Sequence, residues 1–187
     1  METNTLSRSL HDVGLAAWFG GTLANAVALN PAAGEAAGTS SVGRVANVGW
    51  DRWTPVNAAA IGMHLVGSVG QLLGNRERVA TQPGVASMTV AKTVLTGAAL
   101  GVTAYSRVLG RKVSDRTDVP VESGTDPAPA TPPDVASAQR QLRLLQWAVP
   151  ALTGALVVVS SYAGEQQRQA AGAPAAAPRG FFVRFTR

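Results

Sequence analysis

Residues 144–164 read LLQWAVPALTGALVVVSSYAG, a stretch without a charged side chain. Residues 13–31, 53–75 and 79–106 have the same character, and Lys92 is the only formal charge in the four windows together. About 18 consecutive apolar residues are enough for a helix to cross the ~30 Å hydrocarbon layer of a bilayer. The sequence therefore predicts an all-α integral membrane four-helix bundle, with spans at about 12–29, 55–74, 85–109 and 140–164.

The connections between the spans are polar or rich in proline. Residues 31–54 are predicted to be a loop, because Asn30 precedes Pro31 and a residue before proline is disfavoured in a helix. Residues 113–139, which follow the three spans of residues 1–112, hold four prolines between 127 and 133 and few apolar side chains. Such a segment buries too little apolar surface to order itself, so a disordered loop is predicted there, with a polar tail over 165–187.

Composition limits the classes of function. The chain has 187 residues, one domain by length, and its lack of cysteine excludes disulfides, thiolate catalysis, Cys-ligated zinc and iron–sulfur clusters. The net charge is +5, and the basic residues lie beside hydrophobic spans, so the expected partners are the lipid bilayer and its anionic headgroups rather than nucleic acid. Another membrane protein or a second copy is a further expected partner.

The first window has a second interpretation, as a cleaved signal peptide. Arg8 precedes the apolar run, and Ala24-Asn25-Ala26 resembles a small-residue cleavage site. Asp12 at the edge of the run and the weakly apolar Gly20-Gly21 argue against cleavage. Both interpretations stay open.

Polar side chains recur at helical spacing inside the second and third spans. Residues three, four or seven apart share a helix face, and ionisable groups at membrane depth suggest function by default. A small polar cavity for a ligand is one interpretation, and interhelical hydrogen bonding without a ligand is the other. The candidate intramembrane polar site comprises Asn57, His64, Gln71, Lys92 and Thr96.

No metal or cofactor is expected. The only two histidines, His11 and His64, are predicted to lie at different depths, which argues against haem ligation by both. No Ser-His-Asp arrangement, phosphate-binding glycine loop or zinc-ligand spacing is visible, so the protein is not expected to be an enzyme.

Two further features suggest contacts rather than chemistry. Gly70-x-x-x-Gly74 and Gly97-x-x-x-Gly101 have the spacing that lets membrane helices approach closely, within this bundle or with a partner. The tail combines aromatic and basic residues, a composition that binds anionic membrane surfaces or acidic partner grooves. These tail residues are Arg179, Phe181, Phe182, Arg184, Phe185 and Arg187.

The Trp18-Phe19-Gly20-Gly21 segment and the four-span layout together resemble the small, uncharacterised four-span membrane proteins of actinobacteria. This resemblance implies no site residue. The sequence favours a non-enzymatic accessory or structural subunit of the cell membrane that packs against other membrane helices. A small transporter or ligand-binding membrane protein that uses the region around His64 and Lys92 is the alternative.

Overall fold

Four helical segments of the chain are long and apolar enough to cross a membrane: Thr5–Gly34, Ser41–Gly74, Gly84–Ser114 and Pro133–Glu165. The structure, a computed structural model, describes residues 4–116 and 119–172. The predicted all-α four-helix bundle is confirmed. In chain order, the elements are α1 (Thr5–Ala24), a π-helical turn (Asn25–Leu29), α2 (Asn30–Gly34), α3 (Thr39–Gly74), α4 (Arg76–Thr81), α5 (Pro83–Ser114) and α6 (Pro133–Gly172).

The first span does not end at Asn30. Asn30 keeps helical dihedral angles, φ −64° and ψ −45°, and its N–H donates to the carbonyl of Asn25, five residues back. The wider π-helical turn changes the hydrogen-bond register just before Pro31, where proline lacks an N–H and its ring would clash with the preceding turn of an α-helix. The helix therefore continues through Pro31 to Gly34.

The predicted loop at 31–54 is wrong, because α3 begins at Thr39 and already includes Pro55. The turn between α2 and α3 depends on Gly38, whose φ of +86° is unfavourable for a residue with a side chain. Inside α3, Pro55 has no backbone N–H to donate to the carbonyl of Asp51, yet the helix continues to Gly74. Neighbouring Thr54 contributes a hydroxyl hydrogen bond of 2.8 Å to the Trp50 carbonyl.

The connection at 113–139 differs from the expected disordered loop. Residues up to Ser114 belong to α5, and α6 begins at Pro133. Between them Val121 is only 3% exposed and packs with Ala33, Val42 and Ala46. The Ser123 hydroxyl bonds the Asp126 carboxylate at 2.6 Å, which closes a tight turn. One buried valine and side-chain hydrogen bonds therefore order a segment whose average composition is polar.

The helices pack as two close pairs. α1 packs most closely on α3, and α5 most closely on α6, while α1 also contacts α6. The four spans meet in a buried cluster to which each contributes one residue: Trp18, Ala60, Ala99 and Val149. We call this cluster the central layer. By contrast α3 and α5 touch each other much less, although only α4 and short turns separate them in sequence.

Candidate functional site

The two histidines of the chain lie together in the bundle interior. The His11 and His64 ring centroids are 4.5 Å apart, and the side chains are 1% and 0% exposed. The expectation that they lie at different depths is wrong. It placed the start of the first span at residue 12, whereas α1 begins at Thr5, so His11 lies well inside the helix.

Two glycines bring the histidines into contact. A Cβ on Gly14 would lie 2.5 Å from the backbone N of His64, and a Cβ on Gly67 would lie 2.8 Å from the Cα of His11. Each glycine therefore lets the backbone of the other helix approach in a way that any side chain would prevent. Neither glycine belongs to a motif singled out in the sequence. Each lies one helical turn from a motif residue, Gly14 from Trp18 and Gly67 from Gly70.

The hydrogen-bond partners define which ring nitrogen carries the proton. His11 Nδ1 lies 2.7 Å from the Asp12 carboxylate, and His64 Nδ1 lies 3.4 Å from the carbonyl oxygen of His11. Both partners accept hydrogen bonds, so both Nδ1 atoms act as donors. His64 Nε2 then accepts from the Thr96 hydroxyl at 3.4 Å, whereas His11 Nε2 is buried without a hydrogen-bond partner.

A polar pocket of about 330 Å³ adjoins this pair at the meeting of all four spans. Gln71 Nε2 and the Ser160 hydroxyl, which both belong to lining residues, are buried without hydrogen-bond partners. Buried polar atoms are nearly always satisfied by protein, water or a ligand. We call this cavity the polar pocket, and its polar lining consists of Arg8, His11, Asp12, Gln71, Lys92, Ser160 and Ser161.

A larger cleft opens between α3 and α5, where the two helices diverge towards α4. Its volume is about 770 Å³, and Leu65, Leu72 and Val85 contribute to a largely apolar lining. The cleft shares Gln71, Lys92 and Ala163 with the polar pocket, so the two cavities meet at these side chains. We call this cavity the α3–α5 cleft.

The structure brings together most, but not all, of the predicted polar site. His64 contacts Thr96, and Gln71 and Lys92 line both cavities. Asn57 lies apart, beside Trp53 and Thr103 in a third cavity of about 350 Å³. Seven residues of helix separate it from His64, or about 10 Å along the axis.

Sequence reasoning missed the contribution of the first and fourth spans to this site. The predicted site draws only on the second and third spans, whereas His64 also packs against α1 through His11 and Trp18. Asp12 accepts a hydrogen bond from the His11 ring, and no ion pair of Lys92 occurs among the described residues. Ser160 and Ser161 gave no signal, because serine is common in membrane helices.

The predicted packing glycines divide into two groups. Gly70 and Gly74 face the start of α1, where added Cβ atoms would lie 2.8 Å from the Ser7 Cβ and 2.6 Å from the Asn4 side-chain nitrogen. They therefore act within the bundle. At Gly97 and Gly101 an added Cβ would meet nothing within 4 Å.

A second polar cluster lies near the opposite end of the bundle. Asn30 is 2% exposed, donates to Gln146 at 2.8 Å and accepts from the Trp50 indole at 2.9 Å. Its side chain thus ties α2, α3 and α6 together. This cluster satisfies its own polar groups, so we assign it a structural role.

The arrangement limits the chemistry available. In the part of the chain that the structure describes, no group of three or more His, Asp or Glu side chains could hold a metal ion. The His11 and His64 rings touch each other, which leaves no space for a haem between them. The six tail residues predicted to contact a surface or partner lie outside the described residues.

Comparison of the chain with protein-family models, with curated proteins and with solved structures found no match.

Proposed function

We propose that the protein is a non-enzymatic subunit of the bacterial plasma membrane that packs through α5 against another membrane helix. The observation that carries this proposal is a stripe of small and β-branched residues along an exposed face of α5, at whose edge Gly97 and Ala104 also line the cavities beside α3. We call it the outer stripe, and it consists of Val90, Val94, Gly97, Gly101, Ala104 and Val108.

The spacing of the outer stripe alternates between four and three residues. This is the pattern by which two helices pack along a left-handed seam. In a membrane, where lipid tails are as apolar as leucine, helices associate through small residues that let backbones approach. Gly70 and Gly74 already have a partner in α1, whereas nothing in the described chain lies within 4 Å of a Cβ built at Gly97 or Gly101.

Cross-linking and substitution test this proposal. Because the chain has no cysteine, a single Gly101→Cys substitution introduces the only reactive thiol. Oxidation of membranes that contain this variant is expected to give a covalent dimer if the partner is a second copy. A cross-link to a different polypeptide would identify a hetero-partner.

The matched substitutions are Gly101→Leu and Gly62→Leu. Gly62 lies on α3, is also exposed and has nothing within 4 Å of an added Cβ. Gly101→Leu is expected to reduce the mass of the complex purified in mild detergent, while Gly62→Leu leaves it unchanged. Monomers of equal mass for the natural chain and both variants, with no cross-link, would contradict the proposal.

Ligand binding in the bundle interior is the second candidate function. The unpartnered nitrogen and oxygen atoms of the polar pocket favour it, since a bound molecule would satisfy them. Bound small molecules released from the purified protein by organic extraction, and identified by mass spectrometry, would support this function.

A further inference from the structure

We propose that the polar pocket binds a free zwitterionic amino acid with an apolar side chain. The proposal rests on the second candidate function, ligand binding in the bundle interior, and adds the chemical class of the ligand. It is independent of packing through α5, because the outer stripe and the lining of the polar pocket share no residue.

One side of the pocket suits a carboxylate. Lys92 lines the pocket and has no ion pair among the described residues. Withdrawing an ammonium group from water is costly unless a negative charge pairs with it. Gln71 Nε2 and the Ser160 hydroxyl, which are buried without hydrogen-bond partners, are two further donors. A ligand carboxylate would supply the missing charge, and its two oxygens accept several hydrogen bonds.

A simple anion would leave the other side of the pocket unsatisfied. Because His11 Nδ1 donates to Asp12, His11 Nε2 carries a lone pair and needs a donor, and it is buried without a partner. The Asp12 carboxylate, which also lines the pocket, places a negative charge beside the ring. An ammonium group only donates hydrogen bonds and is attracted by this charge. The pocket therefore presents partners for both charged groups of an amino acid.

The depth of the pocket agrees with a ligand that enters from water. The segment Pro133–Glu165 has 33 residues, about 50 Å of helix against a hydrocarbon layer of ~30 Å. A centred helix extends about 10 Å beyond the hydrocarbon at each end, so the lining residues Ser160 and Gly164 lie at the level of the headgroups. By the same estimate Leu15, ten residues after Thr5 in the first span, lies about 7 Å inside the hydrocarbon. A polar molecule therefore reaches the pocket from the headgroup side, and the inner end of the pocket is apolar.

The apolar lining and the volume of the pocket define the rest of the ligand. Leu15, Val157 and Ala163 line the pocket beside the polar groups, so they suit an apolar side chain on the same molecule. The volume of about 330 Å³ is near the lower end of the range for ligand sites in proteins, about 300–1,000 Å³. An amino acid fits this volume, whereas a phospholipid with two acyl chains does not.

The test measures binding to the full chain in mild detergent by isothermal titration calorimetry. The probes are L-leucine, 4-methylpentanoate, which is leucine without its ammonium group, and 3-methylbutylamine, which is leucine without its carboxylate. Leucine is expected to bind about tenfold to a hundredfold more tightly than either analogue, since each analogue loses charge-assisted hydrogen bonds. Absence of leucine binding, or equal affinity for the three probes, would overturn the proposal.

Two substitutions that remove a charge assign the two ends of the ligand. Lys92→Gln should weaken binding of leucine and 4-methylpentanoate roughly tenfold, and Asp12→Asn should weaken binding of leucine and the amine. The matched controls are Lys112→Gln and Asp115→Asn, which remove exposed charges at the far end of α5 and should leave binding unchanged. Equal losses in a variant and its control would overturn the proposal. The comparison of the three probes on the natural chain stands even where a variant fails to fold.

A second pair of variants tests the apolar side chain. The natural chain should bind leucine more tightly than glycine. Val157→Ala should reduce this ratio about fourfold, whereas Val158→Ala, at an exposed position outside the pocket, should not. Equal affinity of the natural chain for leucine and glycine would overturn the proposed apolar side chain.

Three outcomes separate this proposal from the function on which it rests. Displacement of bound leucine by phosphatidylethanolamine, at a lower concentration than by leucine itself, would assign the pocket to a zwitterionic lipid headgroup and overturn the free amino acid. Recovery of a different class of molecule by organic extraction, without leucine binding, would overturn the amino acid and support ligand binding in the interior. No extracted molecule and no binding of any probe would contradict both.

Discussion

Substitution of Gly67 by alanine tests the close contact between α1 and α3. The added Cβ would lie 2.5 Å from the Ser7 carbonyl oxygen and 2.8 Å from the His11 Cα. Carbon atoms ordinarily approach to about 3.5–4.0 Å, so the two helices must separate by roughly 0.7–1.2 Å. The obstacles are backbone atoms, which cannot rotate away as a flexible side chain would.

The expected cost follows from overpacking a well-packed interface. Gly67→Ala should lower the free energy of unfolding by about 1–3 kcal/mol. The same methyl group at Gly62, where nothing lies within 4 Å, should leave it unchanged or raise it by up to about 1 kcal/mol, because alanine favours a helix more than glycine does. Reversible unfolding of the full chain in mixed micelles, followed by helical circular dichroism, measures both. If Gly67→Ala and Gly62→Ala unfold with the same free energy, the contact between His11 and Gly67 does not exist as described.

Four further results are expected. Membranes washed at alkaline pH should retain the protein, because four segments are long and apolar enough to span the bilayer; recovery of folded monomer in the soluble fraction would contradict the fold. His64→Gln should leave stability nearly unchanged, whereas His64→Leu should cost about 0.5–2 kcal/mol in the same unfolding assay, since leucine cannot bond Thr96 or the His11 carbonyl. Asn30→Ala should cost about 1–3 kcal/mol, because the Trp50 indole loses its acceptor at 2.9 Å, and a cost below about 0.5 kcal/mol, the usual effect at a surface site, would refute that role. A peptide of residues 177–187 should bind anionic vesicles more tightly than neutral ones, each arginine adding about 1 kcal/mol, and added salt should remove the difference.

The positions of the four spans were readable from charge alone, because burying a charged side chain in hydrocarbon is costly. The helix ends were not readable. Pro31 and Pro55 suggested boundaries, but a π-helical turn precedes the first and the second lies inside a helix supported by its neighbours. The four helical segments have 30 to 34 residues, more than the ~20 that cross a hydrocarbon layer, so hydropathy does not mark their ends.

The sequence predicted only part of the candidate site, for a related reason. The spacing of His64 and Gln71 on one face predicted a polar interior, and the structure places both near Lys92 or Thr96. The contact with His11 depends on how far α1 slides along α3, which is set by Gly14 and Gly67. The chain has many glycines, and residue spacing does not indicate which of them packs against the backbone of a neighbouring helix. That depends on the three-dimensional structure.

The division into two close helix pairs has a consequence for the order of folding. α1 and α3 are consecutive spans, and so are α5 and α6, so each pair forms from contacts that are near in sequence. Contacts near in sequence form quickly, and chains fold from the N-terminus during synthesis. The first pair can therefore assemble in the bilayer before the second is made. Trp18 and Ala60 would then come together before Ala99 and Val149 are in place. Packing of all four residues in the central layer would be the last step of assembly.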